Sequence, residues 1–223
     1  NWEVVGDLDF ANDKTAYMME CPNLVFINDQ PVLLYCPQGL SKDVLDYGNI
    51  YPNMYKIGQS FDTNKAAMID PSPIQNLDFG FDCYATQAFN APDGRALAVS
   101  WLGLPDGEYP SDRFDHQGVF SLVKELTLKD GKLYQYPVPA LKDLRAEEQP
   151  FTALSESKNS YELELDFAAN TEHEIILFAD KNGKGLRINF DLKAGLVTVD
   201  RSQAGEPFAL DFGTSRSCNI DKE

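Results

Sequence analysis

The sequence predicts an all-β protein in two parts, and three observations carry that reading. The apolar residues come in short runs punctuated by turn formers, with no long apolar helix pattern between them. Two of the turns hold Asp-Gly pairs, Asp93-Gly94 and Asp130-Gly131, which supply the positive φ a tight turn needs. Tyr161-Glu162-Leu163-Glu164-Leu165-Asp166-Phe167 alternates strictly, the pattern of a half-buried strand. Only Ala140 to Glu148, bounded by Pro139 and Pro150, has helical spacing. It reads as a linking helix over 140–150, dividing the chain into residues 1–139 and 151–223.

Val4-Val5 and Leu8-Asp9-Phe10 form a first candidate strand region, and Ala16 to Met19 leads to Glu20. Leu24 to Ile27 and Val32 to Tyr35 flank Asn28-Asp29-Gln30, a hairpin connection. Tyr51 to Ile57 is aromatic and strand-like. Tyr84 to Phe89 and Leu97 to Leu102 flank the Pro92-Asp93-Gly94 turn; Val119 to Leu128 and Lys132 to Val138 flank Asp130-Gly131. In the second part Ile175 to Phe178, Leu186 to Phe190, Leu196 to Val199 and Phe208 to Phe212 follow the alternating stretch, with turns at Asn182-Gly183 and Ala194-Gly195. Strands so spaced, without helices between them, predict an antiparallel sandwich. The first part carries a faint echo at an offset of about sixty residues, in which Leu24 to Leu34 resembles Thr86 to Val99. A plain meander explains that echo equally well.

The 223 residues suffice for one large or two small domains with a core. A net charge of −16, with no run of Lys or Arg, disfavours nucleic acid and anionic membrane surfaces; the acidity reads as a solubilising surface. No apolar run approaches the ~20 residues of a membrane helix, and no N-terminal signal segment is visible in the sequence. Cys21, Cys36, Cys83 and Cys218 have no zinc-type spacing and read as buried free thiols of a reducing compartment. His116 and His173 stand alone and read as structural or surface residues. No metal and no cofactor is expected.

One stretch carries chemistry. In Tyr17-Met18-Met19-Glu20-Cys21-Pro22-Asn23 a lone carboxylate ends an apolar run. A carboxyl in apolar surroundings holds its proton to higher pH and can act as a general acid. Pro22 should bias Cys21 to an extended conformation. By itself, Glu20 is better explained as an outward-facing strand residue.

Further motifs, in order, resemble glycoside hydrolase family 32, the invertases, sucrose-6-phosphate hydrolases and fructanases. Glu20-Cys21-Pro22 matches the family's Glu-Cys-Pro signature. Asp78-Phe79-Gly80-Phe81-Asp82-Cys83-Tyr84-Ala85-Thr86-Gln87 resembles its Asp-x-Gly-x-Asp-x-Tyr-Ala-x-Gln stretch, and Arg95 to Gly103, with Ser100-Trp101, the segment after it. Glu125-Leu126, Gly131-Lys132-Leu133 with Gln135, Asp200-Arg201-Ser202 and Phe212-Gly213 complete the series.

The resemblance implies part of a five-bladed β-propeller followed by a β-sandwich, and hydrolysis of a β-fructofuranosidic bond with retention. It implies Glu20 as acid/base, Trp101 as a sugar platform, Tyr84 as a weaker pocket candidate, and Cys21 as a small filler beside the pocket. Asp82 reads as a hydrogen-bond acceptor at a strand end, and Asp200-Arg201-Ser202 as a structural Arg–carboxylate contact. The family's Asn-Asp-Pro-Asn and Arg-Asp-Pro motifs do not occur, and Asp70-Pro71 follows Ile69 rather than Arg. The expectation is therefore a fragment, starting in the third blade and stopping before the last sandwich strands, without its nucleophile and inactive alone. The expected partner is a small sugar (sucrose, sucrose 6-phosphate or a fructan), the expected location the cytoplasm. Lys42, Lys56, Lys65 and Arg113 are the cations available to a phosphate. A different class, a non-catalytic carbohydrate-binding protein on the same scaffold, stays open.

Overall fold

A computed structural model describes residues 3–152 and 160–220. Strand β1 (Met18–Ile27) returns as β2 (Gln30–Gln38) through Asn28-Asp29, whose φ values of 51° and 62° give the two-residue hairpin turn that matches strand twist. β3 (Met54–Ile57) pairs with β2; a small separate hairpin, β4 (Ser60–Asp62) and β5 (Ala67–Ile69), follows. β6 (Gln75–Asn76) then completes an antiparallel sheet ordered β1-β2-β3-β6. β7 (Cys83–Asn90), β8 (Ala96–Leu102), β10 (Lys124–Lys129) and β11 (Lys132–Pro137) form a second sheet ordered β11-β10-β8-β7, with β9 (Val119–Phe120) on the end of β8.

The two sheets pack face to face. Val25, Val32, Leu34 and Tyr55 of the first meet Ala96, Ala98 and Leu126 of the second. On the first sheet's other face, Leu33, Tyr35 and Met54 bury with Leu40 and Met68. Both faces of β2 are thus covered, which is why its sequence is a near-continuous apolar run rather than an alternation. Two asparagines join the sheets. Asn23 donates to the Cys21 and Thr86 carbonyls (2.8 and 2.9 Å) and accepts from the Ala88 N–H (3.0 Å). Asn90 exchanges two bonds with the Phe26 backbone (2.8 and 2.7 Å).

The faint internal echo is a spatial repeat. β1 and β7 lead their sheets, and each carries a register shift, between Glu20 and Asn23 and between Tyr84 and Gln87. Each shift holds a residue at positive φ, Cys21 at 48° and Ala85 at 47°.

The C-terminal part is an antiparallel sheet of β12 (Glu172–Leu177), β13 (Leu186–Asp191), β14 (Leu196–Asp200) and β15 (Ser215–Asn219), in that order. None of its strand residues is fully buried. Among the described residues it is one layer, so the second layer of the expected sandwich is not seen. The alternating stretch Tyr161 to Phe167 joins no ladder. It lies against the sheet through ring contacts of Tyr161 with Phe178 and of Phe167 with His173 and Phe190. Phe208 to Phe212 is likewise no strand; Leu210–Phe212 is a single 3-10 turn, and the strand comes later, at Ser215–Asn219. The expected linking helix shrinks to a 3-10 turn over Pro139–Leu144. No side chain caps it, and Arg145 leaves it extended to make two 2.6 Å bonds with Glu162. Val4-Val5 forms no strand, and Leu8 to Phe10 contributes one bridge, Asp9 to Ala67. All four cysteines are free, Cys36 and Cys83 buried, Cys21 and Cys218 only partly so. Among the described residues no helix is long and apolar enough to cross a membrane.

Candidate active site

Glu20 sits on β1 opposite Cys36 of β2, at the point where the register shifts. Cys21, the next residue, has φ of 48° rather than the extended conformation Pro22 was expected to impose. Positive φ costs a non-glycine residue on the order of 1–3 kcal/mol, offset here by the Asn23 bond to the Cys21 carbonyl. The bulge re-aims the side chains before it. Met19 and Leu24 both pack on the Leu33–Tyr35 face although an odd number of positions separates them.

The carboxylate of Glu20 meets polar groups, not the apolar surroundings its flanking sequence suggested. Its Oε2 accepts from the Tyr84 hydroxyl (2.6 Å) and from the Gln38 amide (2.7 Å). Gln38 Nε2 also reaches the Tyr84 oxygen (3.1 Å), and its Oε1 accepts from the Tyr17 hydroxyl (2.9 Å). Oε1 of Glu20 accepts no hydrogen bond among the described residues. One oxygen is therefore anchored and the other is not. Burial, reinforced by the bond to Glu20 and opposed by that to Gln38, pushes the Tyr84 phenol above its ordinary range. Tyr84 remains a donor at any physiological pH.

Tyr84 pairs with Trp101 across β7 and β8, and both share a cluster with Cys21, Cys36, Leu104 and Tyr51. The structure thus brings together all four residues singled out from the sequence: Glu20, Cys21, Tyr84 and Trp101. The Trp101 ring lies so close over Gly103 that a Cβ there would stand 2.6 Å from the indole, and Gly118 leaves no room for one either. Burial first, and the Glu20 charge second, push the Cys21 thiol up. It stays a thiol and fills space rather than acting as a nucleophile.

Three neighbours were not foreseen. Gln38 and Tyr17 are joined to Glu20 by the β1–β2 register, which sets Met18 opposite Gln38. Tyr51 stacks at a tilt on Tyr84, with ring centroids 5.5 Å apart, and donates to Asp106 (2.5 Å). That bond is the main reason the Tyr51 phenol is pushed up to about 12. Only Tyr17, adjacent to the Met18-Met19-Glu20 run, carried a sequence signal.

Other residues lie elsewhere. Burial, reinforced by the nearby Asp82 carboxylate, pushes the Tyr109 phenol up. Arg201 does not make the carboxylate contact expected of it. Its guanidinium donates to the Phe208, Ala209 and Gly213 carbonyls at 2.7 to 3.0 Å. The four candidate phosphate cations do not converge. Lys56 holds the Phe10 and Ala11 carbonyls, Lys65 pairs with Asp62, Arg113 with Glu206, and Lys42 bonds the Tyr47 carbonyl. His116 is exposed, and His173 stacks on Phe167.

Residues 1–137 match the family model for the glycosyl hydrolases family 32 N-terminal domain. The chain is 64% identical over 220 residues to a sucrose-6-phosphate hydrolase of Streptococcus mutans, covering 99% of this chain and 46% of the relative. It is 48% identical over 207 residues to that of Lactococcus lactis, covering 91% and 44%. The solved sucrose-6-phosphate hydrolase of Lactobacillus gasseri superposes with a TM-score of 0.85 at 43% identity, over 99% of this chain and 47% of that one. The chain thus spans a little under half the length of the curated relatives it matches.

Proposed function

The chain belongs to glycoside hydrolase family 32, and on that premise we propose that it is part of a retaining β-fructofuranosidase acting on sucrose 6-phosphate or sucrose. The two packed sheets are a portion of the family's N-terminal propeller domain. We infer that they are blades of a five-bladed ring, that residues 1–139 close its C-terminal part, and that β12 to β15 within 151–223 form one layer of a β-sandwich joined through 140–150. The observation that carries the functional reading is the Glu20 carboxyl, anchored at Oε2 by Tyr84 and Gln38 and open at Oε1. The names of its relatives support the phosphorylated substrate, and an intracellular phosphosugar fits a cytoplasmic enzyme.

In this reading Glu20 gives its proton to the glycosidic oxygen while a second carboxylate attacks the anomeric carbon of the fructosyl group. The glucosyl moiety leaves as an alcohol. Glu20, now ionised, takes a proton from water, which attacks the fructosyl–enzyme ester and releases fructose with retained configuration. Retaining chemistry needs the two carboxyls about 5–5.5 Å apart. The family's Asn-Asp-Pro-Asn motif does not occur in this sequence, and we infer that the nucleophile comes from residues outside it. Trp101 offers an apolar face to the sugar C–H groups.

In the full-length protein, Glu20→Gln should lower kcat on sucrose or sucrose 6-phosphate by about 10³-fold with KM nearly unchanged. A fructoside with an activated leaving group should lose less, because it needs less protonation. Near-normal kcat on sucrose would remove Glu20 from the mechanism. The 223-residue chain alone should release no fructose. Comparing kcat/KM on sucrose, sucrose 6-phosphate and inulin fixes the substrate. Sugar binding without any turnover by the full-length protein would favour the carbohydrate-binding alternative.

A further inference from the structure

Two arginines of the C-terminal sheet do something that neither their own sheet nor an ion pair explains. The guanidiniums of Arg201 and Arg216 both lie over the ring of Phe81, at 5.1 and 4.3 Å. The Nε atom of each is buried without a hydrogen-bond partner. Arg216 donates to the carbonyls of Phe212 and Ser215 (each 2.9 Å) and, outside its own sheet, to that of Gly48 (2.8 Å). Gly48 has no Cβ, and one there would collide with the Arg216 side chain. Both side chains are half-buried, and desolvating part of a cation without a carboxylate partner is costly. Desolvation lowers the Arg216 pKa, with the neighbouring Arg201 acting in the same direction and Asp82 against it.

What the arginines hold is the approach to the candidate site. Gly48 lies three residues before Tyr51, and Phe81 three before Tyr84. The two approaches are also tied to each other: the Asp82 N–H donates to the Asn49 side chain (3.2 Å), and the Asp82 carbonyl accepts from the Gly103 N–H (2.7 Å). Gly103 in turn underlies Trp101. Asp82 itself has φ of 59°, in the left-handed region that Asp adopts more readily than most residues. Downstream, Tyr51 packs on Tyr84, and Tyr84 bonds Glu20.

We propose that Arg216, supported by Arg201, is a positioning residue for the site: through Gly48 and Phe81 it sets Tyr51 and Tyr84, and so fixes the donor that anchors Glu20. The C-terminal sheet thereby becomes part of the proton-transfer apparatus without touching substrate. The kinetic consequence rests on the fructosidase reading above; the positional one does not.

The test uses the full-length protein, labelled with ¹³Cζ-tyrosine, with the Tyr84 resonance assigned by its loss in Tyr84→Phe. Arg216→Met keeps the side-chain stem and removes the donors. It should move the Tyr84 resonance, lower kcat on sucrose about tenfold with KM within about twofold, and lower kcat less on an activated fructoside. Arg216→Lys should recover most of the loss. Arg187→Met, on the same sheet but paired at its outer side with Glu174, should change neither readout. If Arg216→Met does not fold, Phe81→Leu removes the ring the guanidiniums stack on and is read in the same way. An unmoved Tyr84 resonance in a folded variant overturns the proposal, as does an equal loss on natural and activated substrates. If the wild-type protein hydrolyses no fructoside, the functional reading fails, and the Tyr84 resonance still decides the positioning.

Discussion

The chain contains two four-stranded antiparallel sheets of the same plan, β1-β2-β3-β6 and β12-β13-β14-β15, and they are buried very differently. In the first, every residue of β2 after Gln30 is buried. In the last, no strand residue is. Hydrogen-bonded topology is therefore no guide to where the stability lies. The first sheet is covered on both faces, by the second sheet and by the segment around Leu40 and Met68. The last has ring contacts along one side and carries charged pairs such as Arg187–Glu174 and Lys193–Glu172. The site is built on the covered sheets, and Arg201 and Arg216 tie the uncovered one to Phe81 and Gly48 beside it.

Substitutions test this contrast directly. Leu34→Ala, at a position with 0% exposure, should cost about 2–5 kcal/mol in urea unfolding. Val199→Ala, half-buried on β14, should cost about 1 kcal/mol or less. Equal losses would mean that the last sheet is as well covered as the first. Next in size is Asn23→Ala, which strips partners from two carbonyls and one N–H where the first two sheets meet and should cost about 1–3 kcal/mol.

Alkaline titration gives a smaller but cleaner contrast. Burial pushes the Cys36 thiol from its ordinary 9.0 up to about 12. The folded chain then holds a proton that the unfolded chain has lost. Stability should be whole below about pH 9 and fall as pH rises from 9 toward 12. Cys36→Ala should flatten the urea midpoint across that window more than Cys218→Ala, whose thiol is only partly buried. Smallest of all, Glu174→Gln breaks the exposed Arg187 pair (2.8 Å) and should shift stability by no more than about 0.5 kcal/mol. The second sheet's outer face, with Phe89 at 59% and Tyr136 at 72% exposure, should make the isolated chain self-associate; a dilute monomer in sedimentation would show that face to be tolerable in water.

The legible parts of the sequence were those set by local chemistry. Asn28-Asp29 and Asp130-Gly131 turn the chain where they were expected to, because positive φ is a property of the residue itself. The candidate site residues came from motif order, and the structure brings them together. Gln38 and Tyr51 escaped because nothing along the chain says which strand lies opposite which; a register and a ring contact bring them in. The Tyr161 to Phe167 alternation misled for a related reason. Alternation reports a segment with one wet side, and a segment packed by its rings satisfies that as well as a paired strand does. Ser215–Asn219, polar and short, shows the converse: its ladder with β14 is made by backbone, which side-chain pattern does not announce.

The twin bulges have an evolutionary consequence. A strand's side chains alternate in phase, and one extra residue inverts that phase for everything before it. In β1 the inverted stretch carries a carboxylate; in β7 it carries a phenol; and the two meet across 64 residues of chain. The repeated register shift thus offers the same position twice, filled with a carboxyl in β1 and with its hydrogen-bond donor in β7. Deleting Cys21 would leave Val25 and Ile27 seated in the core and restore the regular pleat. It would also turn position 20 away from Tyr84, silencing the site by a change of parity rather than by loss of any functional group.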